Sequence, residues 1–530
     1  MAGTPDGWTW RDRARGSIAH VELLDPATEP ISGIDALPTM YVPDRLLISR
    51  SSGVSDYRGR AALVERAAVA LGLRVLPDDD DLVDGQKPEE LPFVRVRLVP
   101  GEEGTQGAAA PDAWRVLQRL RRDVLTRAQL DPAREPAREV IERLAEVGAD
   151  GVGLEHVLAI DPFARSNPFA RSNPFARSNP FARSNPVGEY AESGRGGRQP
   201  VAWVGPGPVR TKPPTGTRAP VVAVLDTGAG VHEWLPSDVV RTAIDIDGRP
   251  VGLADDADPE RYPDLFGPLD GELDPVAGHG TFIAGIVRQV APDAEILAIR
   301  VADANGLIPE STLLRVLRDL VTLVERHRDG AAGGHPVDVL NLSLGFYHET
   351  PEDGLYLTEL VDVLAKLRAH GVTVVASAGN DAVDRPAFPA SLWPWPGADN
   401  GVESDDGAEL VSVGALNPDT GTTALFSNVG PWVRTYATGA SIVSTIPAFE
   451  GGRQATSRDD EYERERSTIG PDDFRGTFAV WSGTSFAAPL VAGRIAAALG
   501  FLPDKPTGEP VHAVYRDRVR KVITASDTGR

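Results

Sequence analysis

The sequence predicts an α/β fold, a parallel sheet with helices on both faces, preceded by a small α+β domain. Two observations in the C-terminal part indicate the sheet. Apolar runs of strand length alternate there with helical patterns, and the runs are continuous, as is typical of parallel strands buried on both faces. The third observation is a low-complexity segment within a chain of 530 residues, which indicates two folded units joined by a linker.

The smaller domain is predicted at residues 41–160, after an N-terminal segment of residues 1–40. Its strands and helices are distinguished by apolar spacing. The predicted strands are Arg45–Ser49, Leu73–Pro77, Phe93–Val99 and Gly153–Ile160, and the predicted helices are Gly59–Leu71 and Asp112–Leu125. The order β-α-β-β-α-β is that of a ferredoxin-like domain.

A linker is predicted at residues 161–216. Four identical PFARSN copies run from Pro162 to Asn185, and a proline every six residues prevents both a helix and a central strand. The following residues are rich in Gly, Pro and Arg. The repeats are either tandem cleavage sites or a neutral duplication, and the duplication is the preferred interpretation.

The larger domain is predicted at residues 217–530. Its predicted strands are Val221–Asp226, Glu295–Val301, Val337–Gly345, Val372–Gly379 and Leu410–Leu416, and its helices include Ser311–Arg328 and Leu355–His370. In parallel sheets of this kind, chemistry gathers at the carboxyl ends of the strands. Several polar candidate residues fall there.

Composition excludes several classes of protein. The formal net charge of -22 argues against a nucleic-acid or anionic-membrane partner. The absence of cysteine excludes disulfides, thiolate metal sites and a cysteine nucleophile. The first thirty residues show no signal-peptide pattern, and the longest apolar run, Phe486–Leu502, is too interrupted to span a bilayer. We therefore expect a cytoplasmic protein, with export by another route left open.

Asp226 ends an apolar strand and opens the tripeptide D-T-G. The tripeptide recurs at Asp419–Gly421 and Asp527–Gly529, and aspartic proteases use two such motifs, each after an apolar strand. Neither of these other copies directly follows an apolar strand. A paired-carboxylate site therefore lacks its second carboxylate.

His279 and Ser485 lie in two further glycine-bearing motifs. A single histidine is most often structural, but the glycines on both sides of His279 allow a close approach to its ring. Ser485, in SGTSFAAPLVAG, is expected in the first turn of a buried helix, where its backbone N–H can face an anion. In isolation, a helix-capping serine would be the simpler interpretation.

The three residues occur in the order Asp, His, Ser, which fits only one of the three known triad orders. With the motifs DTG, GHGT and GTSFAAP, residues Val221 to Leu499 resemble the subtilases, the subtilisin family of serine proteases. The resemblance implies a subtilisin-like sheet and a catalytic triad, in which Ser485 is the nucleophile, His279 the general base and Asp226 its orienting partner. It also implies that Asn380, in ASAGN, and the N–H of Ser485 form the oxyanion hole.

The same resemblance implies how a protein or peptide substrate would bind. Backbone groups of Ser343, Leu344 and Gly345 would pair with an extended peptide, and Gly306 would belong to the opposite edge. An uncharged specificity pocket would lie between Leu344–Gly345 and Ala378–Gly379. The chemistry requires no cofactor. Two acidic loops, one with Asp255, Asp256 and Asp258 between Asp226 and His279 and one at Asp459–Glu465, are candidates for calcium. No spacing in them matches a calcium loop, so solvated surface is preferred and no metal ligand is assigned.

The N-terminal domain resembles the family's propeptide, which assists folding and blocks the cleft with its last strand. This resemblance rests on element order and on YVPDRLLIS at Tyr41–Ser49. It implies a zymogen in which the chain's own N-terminal domain is an intramolecular inhibitor. The alternatives are an unrelated accessory domain, a sensor domain with proteolytic output, and a catalytically silent peptide-binding pseudoprotease.

Overall fold

The structure is a computed structural model. It describes residues 5, 8, 11–13, 21–50, 57–78, 91–101, 110–135, 137–146, 149, 151–160, 190, 197–266, 273–350, 358–398, 406–419, 421–450, 459–461, 464–466, 474–504 and 511–527. The PFARSN repeats at 162–185 lie outside these residues.

The N-terminal part forms an antiparallel sheet with helices on one face. The strands are β1 Glu22–Leu23, β2 Met40–Ser49, β3 Leu73–Pro77, β4 Phe93–Pro100 and β5 Val152–Ala159, and the helices are α1 Tyr57–Ala70, α2 Ala113–Ala128 and α3 Ala137–Glu146. The spatial order is β5-β2-β4-β3, and every neighbouring pair is antiparallel. The six predicted elements are confirmed, with shifted ends for most of them. β1 and α3 were not predicted.

Helix α2 of the N-terminal part begins where the local sequence supplies a capping residue. Asp112 caps the helix by accepting the N–H of Trp114 at 3.0 Å and that of Arg115 at 3.4 Å, which satisfies donors left open at a helix start. Trp114 and Leu117 are buried in the core that lies between the helices and the sheet.

The larger part contains the predicted parallel sheet. Its strands are β6 Gln199–Val201, β7 Thr217–Arg218, β8 Val221–Asp226, β9 Val240–Arg241, β10 Asp245–Ile246, β11 Arg249–Pro250, β12 Glu295–Arg300, β13 Leu307–Pro309, β14 Val339–Leu342, β15 Thr373–Ser377, β16 Leu410–Leu416, β17 Thr435–Thr438, β18 Ile442–Thr445, β19 Asp459–Glu461, β20 Arg464–Arg466, β21 Phe478–Trp481 and β22 Leu502–Pro503. Its helices are α4 His279–Val290, α5 Glu310–Arg328, α6 Thr358–Ala369, α7 Thr484–Leu499 and α8 Val511–Asp527. Seven strands pair in parallel in the order β17-β16-β15-β14-β8-β12-β9.

Strand β8 lies inside this sheet, and its alternate side chains enter two different cores. Val222 and Val224 pack on the side of α4 and α7, whereas Ala223 and Leu225 pack on the side of α5 and α6. All four are fully buried, which accounts for the unbroken apolar run in the sequence. The prediction of a parallel sheet covered on both faces is confirmed.

The two parts are joined by strand pairing. β5 of the N-terminal part pairs antiparallel with β13 of the larger part. On the face of the N-terminal sheet away from its own helices, Leu47 and Phe93 pack into the core of the larger part. The N-terminal part is therefore docked on the larger one.

Part of the predicted linker is folded onto the larger part. β6 pairs with β21, the strand that leads to α7. The Arg198 guanidinium donates to the carbonyls of Leu273, Asp274 and Ala277 at 2.9 to 3.1 Å and lies 4.9 Å from the centre of the Trp481 ring. The domain boundaries stay a prediction. Among the described helices, none combines the length and apolar composition that crossing a membrane requires.

Candidate active site

Asp226 and His279 meet at the carboxyl edge of the sheet. Asp226 is the last residue of β8, and His279 is the first residue of α4. The Nδ1 atom of His279 lies 2.8 Å from Oδ1 of Asp226, which also accepts the backbone N–H of Thr227 at 2.8 Å. Both side chains are fully buried, so this pairing is protected from water. Nε2 of His279 has no hydrogen-bond partner among the described residues.

The glycines beside His279 permit a close approach of the neighbouring chain segments. That they also allow a close approach to the imidazole ring stays a prediction. A Cβ on Gly280 would lie 2.1 Å from the carbonyl oxygen of Gly228, in the loop after Asp226. Gly278 has a φ of 78° and lies against Ile446. Neither position accepts a larger residue without displacement of the loop or the helix.

Ser485 lies in the first turn of α7, as predicted. The next residue, Phe486, packs against the His279 imidazole with ring centres 5.1 Å apart, so this turn faces the histidine. Trp481, just before the turn, contacts the same imidazole edge-on at 5.5 Å. Ser485 is 2% exposed.

Asn380 is held beside the same turn. Its Oδ1 atom accepts the backbone N–H of Thr484 at 2.8 Å and the Thr484 hydroxyl at 2.9 Å. These contacts fix the carboxamide next to Ser485 and leave its amide nitrogen as the end that donates. The structure therefore brings Asp226, His279, Asn380 and Ser485 to one site.

Ser343 has a contact that the sequence did not predict. Its hydroxyl accepts from the Asn341 amide at 3.0 Å and donates to the backbone carbonyl of Ser485 at 2.8 Å. The strand predicted to bind substrate is thereby tied to the turn that carries Ser485.

The two predicted substrate-binding edges are occupied by the end of the N-terminal domain. Ala159 and Gly345 exchange two backbone hydrogen bonds of 3.0 and 3.1 Å. On the other side, the N–H of Ile160 donates to the carbonyl of Gly306 at 2.8 Å. Residues 157–160 therefore run as an extended segment between Gly306 and Gly345.

The predicted pocket wall at Ala378–Gly379 is supported by Asn428, which sequence reasoning missed. The Asn428 amide donates to the Ala378 carbonyl and to the Tyr347 hydroxyl, each at 2.8 Å, and its oxygen accepts the N–H of Asp381 at 3.1 Å. Gly379 has a φ of 98°, and a Cβ there would meet the Asn428 amide at 2.5 Å. Leu344 and Ala378 are buried.

A second missed residue is Glu260, in the acidic loop between Asp226 and His279. That loop was interpreted as solvated surface, and Asp255 and Asp256 are indeed exposed. Glu260 is instead 3% exposed and accepts the backbone N–H of Gly280 at 2.9 Å. No pattern in the sequence distinguishes it from its acidic neighbours.

A buried cluster of ionisable side chains joins the two parts of the chain. His156 of β5 contacts Glu310 through Nδ1 at 2.7 Å and Glu349 through Nε2 at 2.8 Å. Burial opposes the charge on His156, but the carboxylates of Glu310 and Glu349 outweigh it and raise its pKa to about 10. Burial would raise the pKa of Glu349, whereas His348, His156 and Arg121 lower it.

Among the described residues, His156, His348 and Glu349 are also the one group close enough together to hold a metal ion. Two imidazoles and one carboxylate do not fit calcium, which takes oxygen ligands. Both ring nitrogens of His156 already contact carboxylates, and Arg121 lies 3.5 Å from Glu349. The charges are therefore compensated by the protein itself, and no metal is assigned to the cluster.

Fold and site together define the class of serine proteases with the order Asp, His, Ser. A model of the subtilase family matches residues 217–527. Because this match covers more than half of the chain, the chain belongs to the subtilase family. The match begins after the N-terminal part, so the assignment of that part as ferredoxin-like stays a prediction.

Two curated relatives are each similar to about half of the chain. An intracellular serine protease of Paenibacillus polymyxa is 29% identical over 287 residues, which cover 52% of this chain and 65% of the relative. A thermophilic serine proteinase of Bacillus sp. (strain AK1) is 29% identical over 265 residues, covering 46% and 51%. The chain thus spans less than two thirds of either relative. A solved cold-adapted subtilisin-like serine proteinase shares 22% identity at a TM-score of 0.34, covering 53% of this chain and 76% of that one.

Proposed function

We propose that the chain is a serine endopeptidase that hydrolyses peptide bonds through an acyl-enzyme on Ser485. The observation that carries this proposal is the buried Asp226–His279 pair, which faces the turn of Ser485. Ser485 Oγ attacks the peptide carbonyl, and Nε2 of His279 takes its proton and returns it to the leaving amine. Asp226 holds Nδ1 and stabilises the imidazolium.

The oxyanion that forms in this step needs preorganised donors. Asn380 is suited to donate through its amide, since its oxygen is held by Thr484, and the N–H of Ser485 lies in a helix turn without an intrahelical partner. Water then hydrolyses the acyl-enzyme. No metal or cofactor takes part in these steps, as is general for subtilases.

We further propose that the N-terminal domain, which we assign to the ferredoxin-like class, inhibits its own protease. Its segment 157–160 takes the backbone partners at Gly306 and Gly345 that an extended protein or peptide substrate would use. This pairing supports the assignment of Gly306 and Gly345 as substrate-binding residues. It also supports the proposal that the N-terminal domain keeps substrate out of the cleft. Cytoplasmic location stays a prediction.

Labelling with a serine-directed fluorophosphonate tests the enzyme proposal. The full chain should be labelled at Ser485 slowly, and faster once the N-terminal domain is displaced. Ser485→Ala should not be labelled, whereas Ser237→Ala, at an exposed position, should match the wild type. No labelling of the wild type, even after cleavage between Ile160 and Pro220 and removal of the N-terminal domain, would indicate the pseudoprotease. Equal labelling of the full chain and of the chain from which the cleaved N-terminal domain has been removed would refute self-inhibition.

A further inference from the structure

Glu260 is a buried acid that the proposed chemistry does not use. It lies in the loop before α4 and is 3% exposed. Burying a carboxylate is costly unless donors surround it. The identity of those donors indicates its role.

The Glu260 carboxylate bridges the two segments that carry Asp226 and His279. Its Oε1 atom accepts the N–H of Gly280 at 2.9 Å and the hydroxyl of Thr227, and its Oε2 atom accepts the hydroxyl of Thr281. Thr227 directly follows Asp226, whereas Gly280 and Thr281 directly follow His279. The carboxylate thus fixes both segments relative to each other.

The Thr227 hydroxyl lies between two acids. Its oxygen accepts the Gly280 N–H at 2.8 Å, and its single proton can go to Oε1 of Glu260 or to Oδ1 of Asp226, which is 3.1 Å away. An ionised Glu260 attracts this proton. A protonated Glu260 whose proton is on Oε1 donates it to Thr227 instead, and the Thr227 proton then turns to Asp226.

Both states of Glu260 are accessible near neutral pH. Burial raises its pKa to about 7, against the hydrogen bonds from Thr227 and Thr281, and the charges of Asp258 and Asp226 add to the rise. During the proposed attack, the imidazole of His279 becomes positively charged. The Arg300 guanidinium donates to the carboxylate of Asp255 at 3.0 Å.

We propose that Glu260 is a positioning residue of the triad, which sets the direction of the Thr227 hydroxyl and thereby the basicity of His279. An ionised Glu260 removes one donor from Asp226 and adds a negative charge nearby, and both effects favour the imidazolium that forms during attack. The inference rests on the proposed function of Ser485. It predicts that the reaction rate of Ser485 increases as pH rises through about 7, where Glu260 ionises.

The test compares Ser485 labelling rates of full-length variants with the wild type. Glu260→Gln mimics the protonated acid, so its rate relative to wild type should be near one at about pH 5.5 and fall about 3- to 10-fold by about pH 8.5. Taking the ratio at each pH cancels any pH dependence of domain opening. Asp256→Asn removes an exposed charge from the same loop, and its ratio should not change with pH.

Thr227→Val supplies a second route if Glu260→Gln does not fold. It leaves Glu260 in place but removes the hydroxyl between the acids, so its ratio should also fall through about pH 7. A folded variant whose ratio is constant with pH, however low, would show a merely structural role and overturn the inference. A wild type that is never labelled refutes the proposed function instead, so the two failures are distinguishable.

Discussion

Substitution of His156 by alanine is expected to open the cleft of the full-length chain. His156 is 2% exposed, and each ring nitrogen contacts a carboxylate of the larger part, Glu310 at 2.7 Å and Glu349 at 2.8 Å. The N-terminal domain supplies the imidazole of His156, and the larger part supplies both carboxylates. Removal of the imidazole leaves the buried carboxylates of Glu310 and Glu349 without the positive charge between them.

The expected magnitude follows from this arrangement. Removing one partner of a buried ion pair costs roughly 3–5 kcal/mol. At about 1.36 kcal/mol for each factor of ten, this corresponds to an open fraction that is about 10²- to 10⁴-fold larger. Arg121 remains 3.5 Å from Glu349 and compensates it in part, so we expect the lower end, about 10²-fold.

The assay is the fluorophosphonate labelling rate of Ser485 near neutral pH, with an intact linker verified by mass spectrometry. His335→Ala is the control, because its imidazole contacts Glu295 at 3.3 Å within the larger part. The control should label at the wild-type rate. A His156→Ala rate within about threefold of wild type, in a chain that melts normally, would refute the role of this cluster in holding the domain.

Three further outcomes are expected. The pKa of His156 is raised to about 10, so its pairing stabilises docking fully below its ordinary pKa near 6.5 and is lost as pH rises through about 10. The labelling rate of the wild type divided by that of His156→Ala should therefore rise over that range. Asn380→Leu should lower kcat by about 10²–10³, the range for loss of one oxyanion donor in a subtilisin, with KM changed by less than about threefold on a peptide anilide. Gly280→Ala should abolish labelling, because the new Cβ would lie 2.1 Å from the carbonyl oxygen of Gly228. Gly421→Ala should be labelled normally, because its Cβ would lie 3.9 Å from its nearest neighbour, the carbonyl oxygen of Asp419.

The strands were predicted best where burial alone decides them. The bounds of β8 and β16 match the predicted runs, because strands covered on both faces must be apolar throughout. Val337–Gly345 was predicted as one strand, yet β14 ends at Leu342. The last residues leave the sheet because Gly345 pairs with Ala159 instead, and a partner so distant in sequence leaves no local pattern.

The same distinction applies to the site. Asp226, His279 and Ser485 could be predicted as candidates because each lies in a local motif whose glycines and small residues have a steric purpose. Glu260 was missed because its burial depends on contacts with Thr227 and α4, which form only in the folded chain. Asn428 was missed for the same reason, since it serves the pocket wall from a distant loop.

The anchoring of β6 and Arg198 has a consequence for how the repeats can change. β6 pairs with β21, the strand before Ser485, and Arg198 donates hydrogen bonds to the segment before His279. A cut within the repeats, at residues 162–185, would leave the contacts of β6 and Arg198 in place wherever the chain was cut. Repeat copies can therefore be gained or lost as whole units during evolution. Such changes alter the length of the linker but not the contacts of β6 and Arg198 with the larger part.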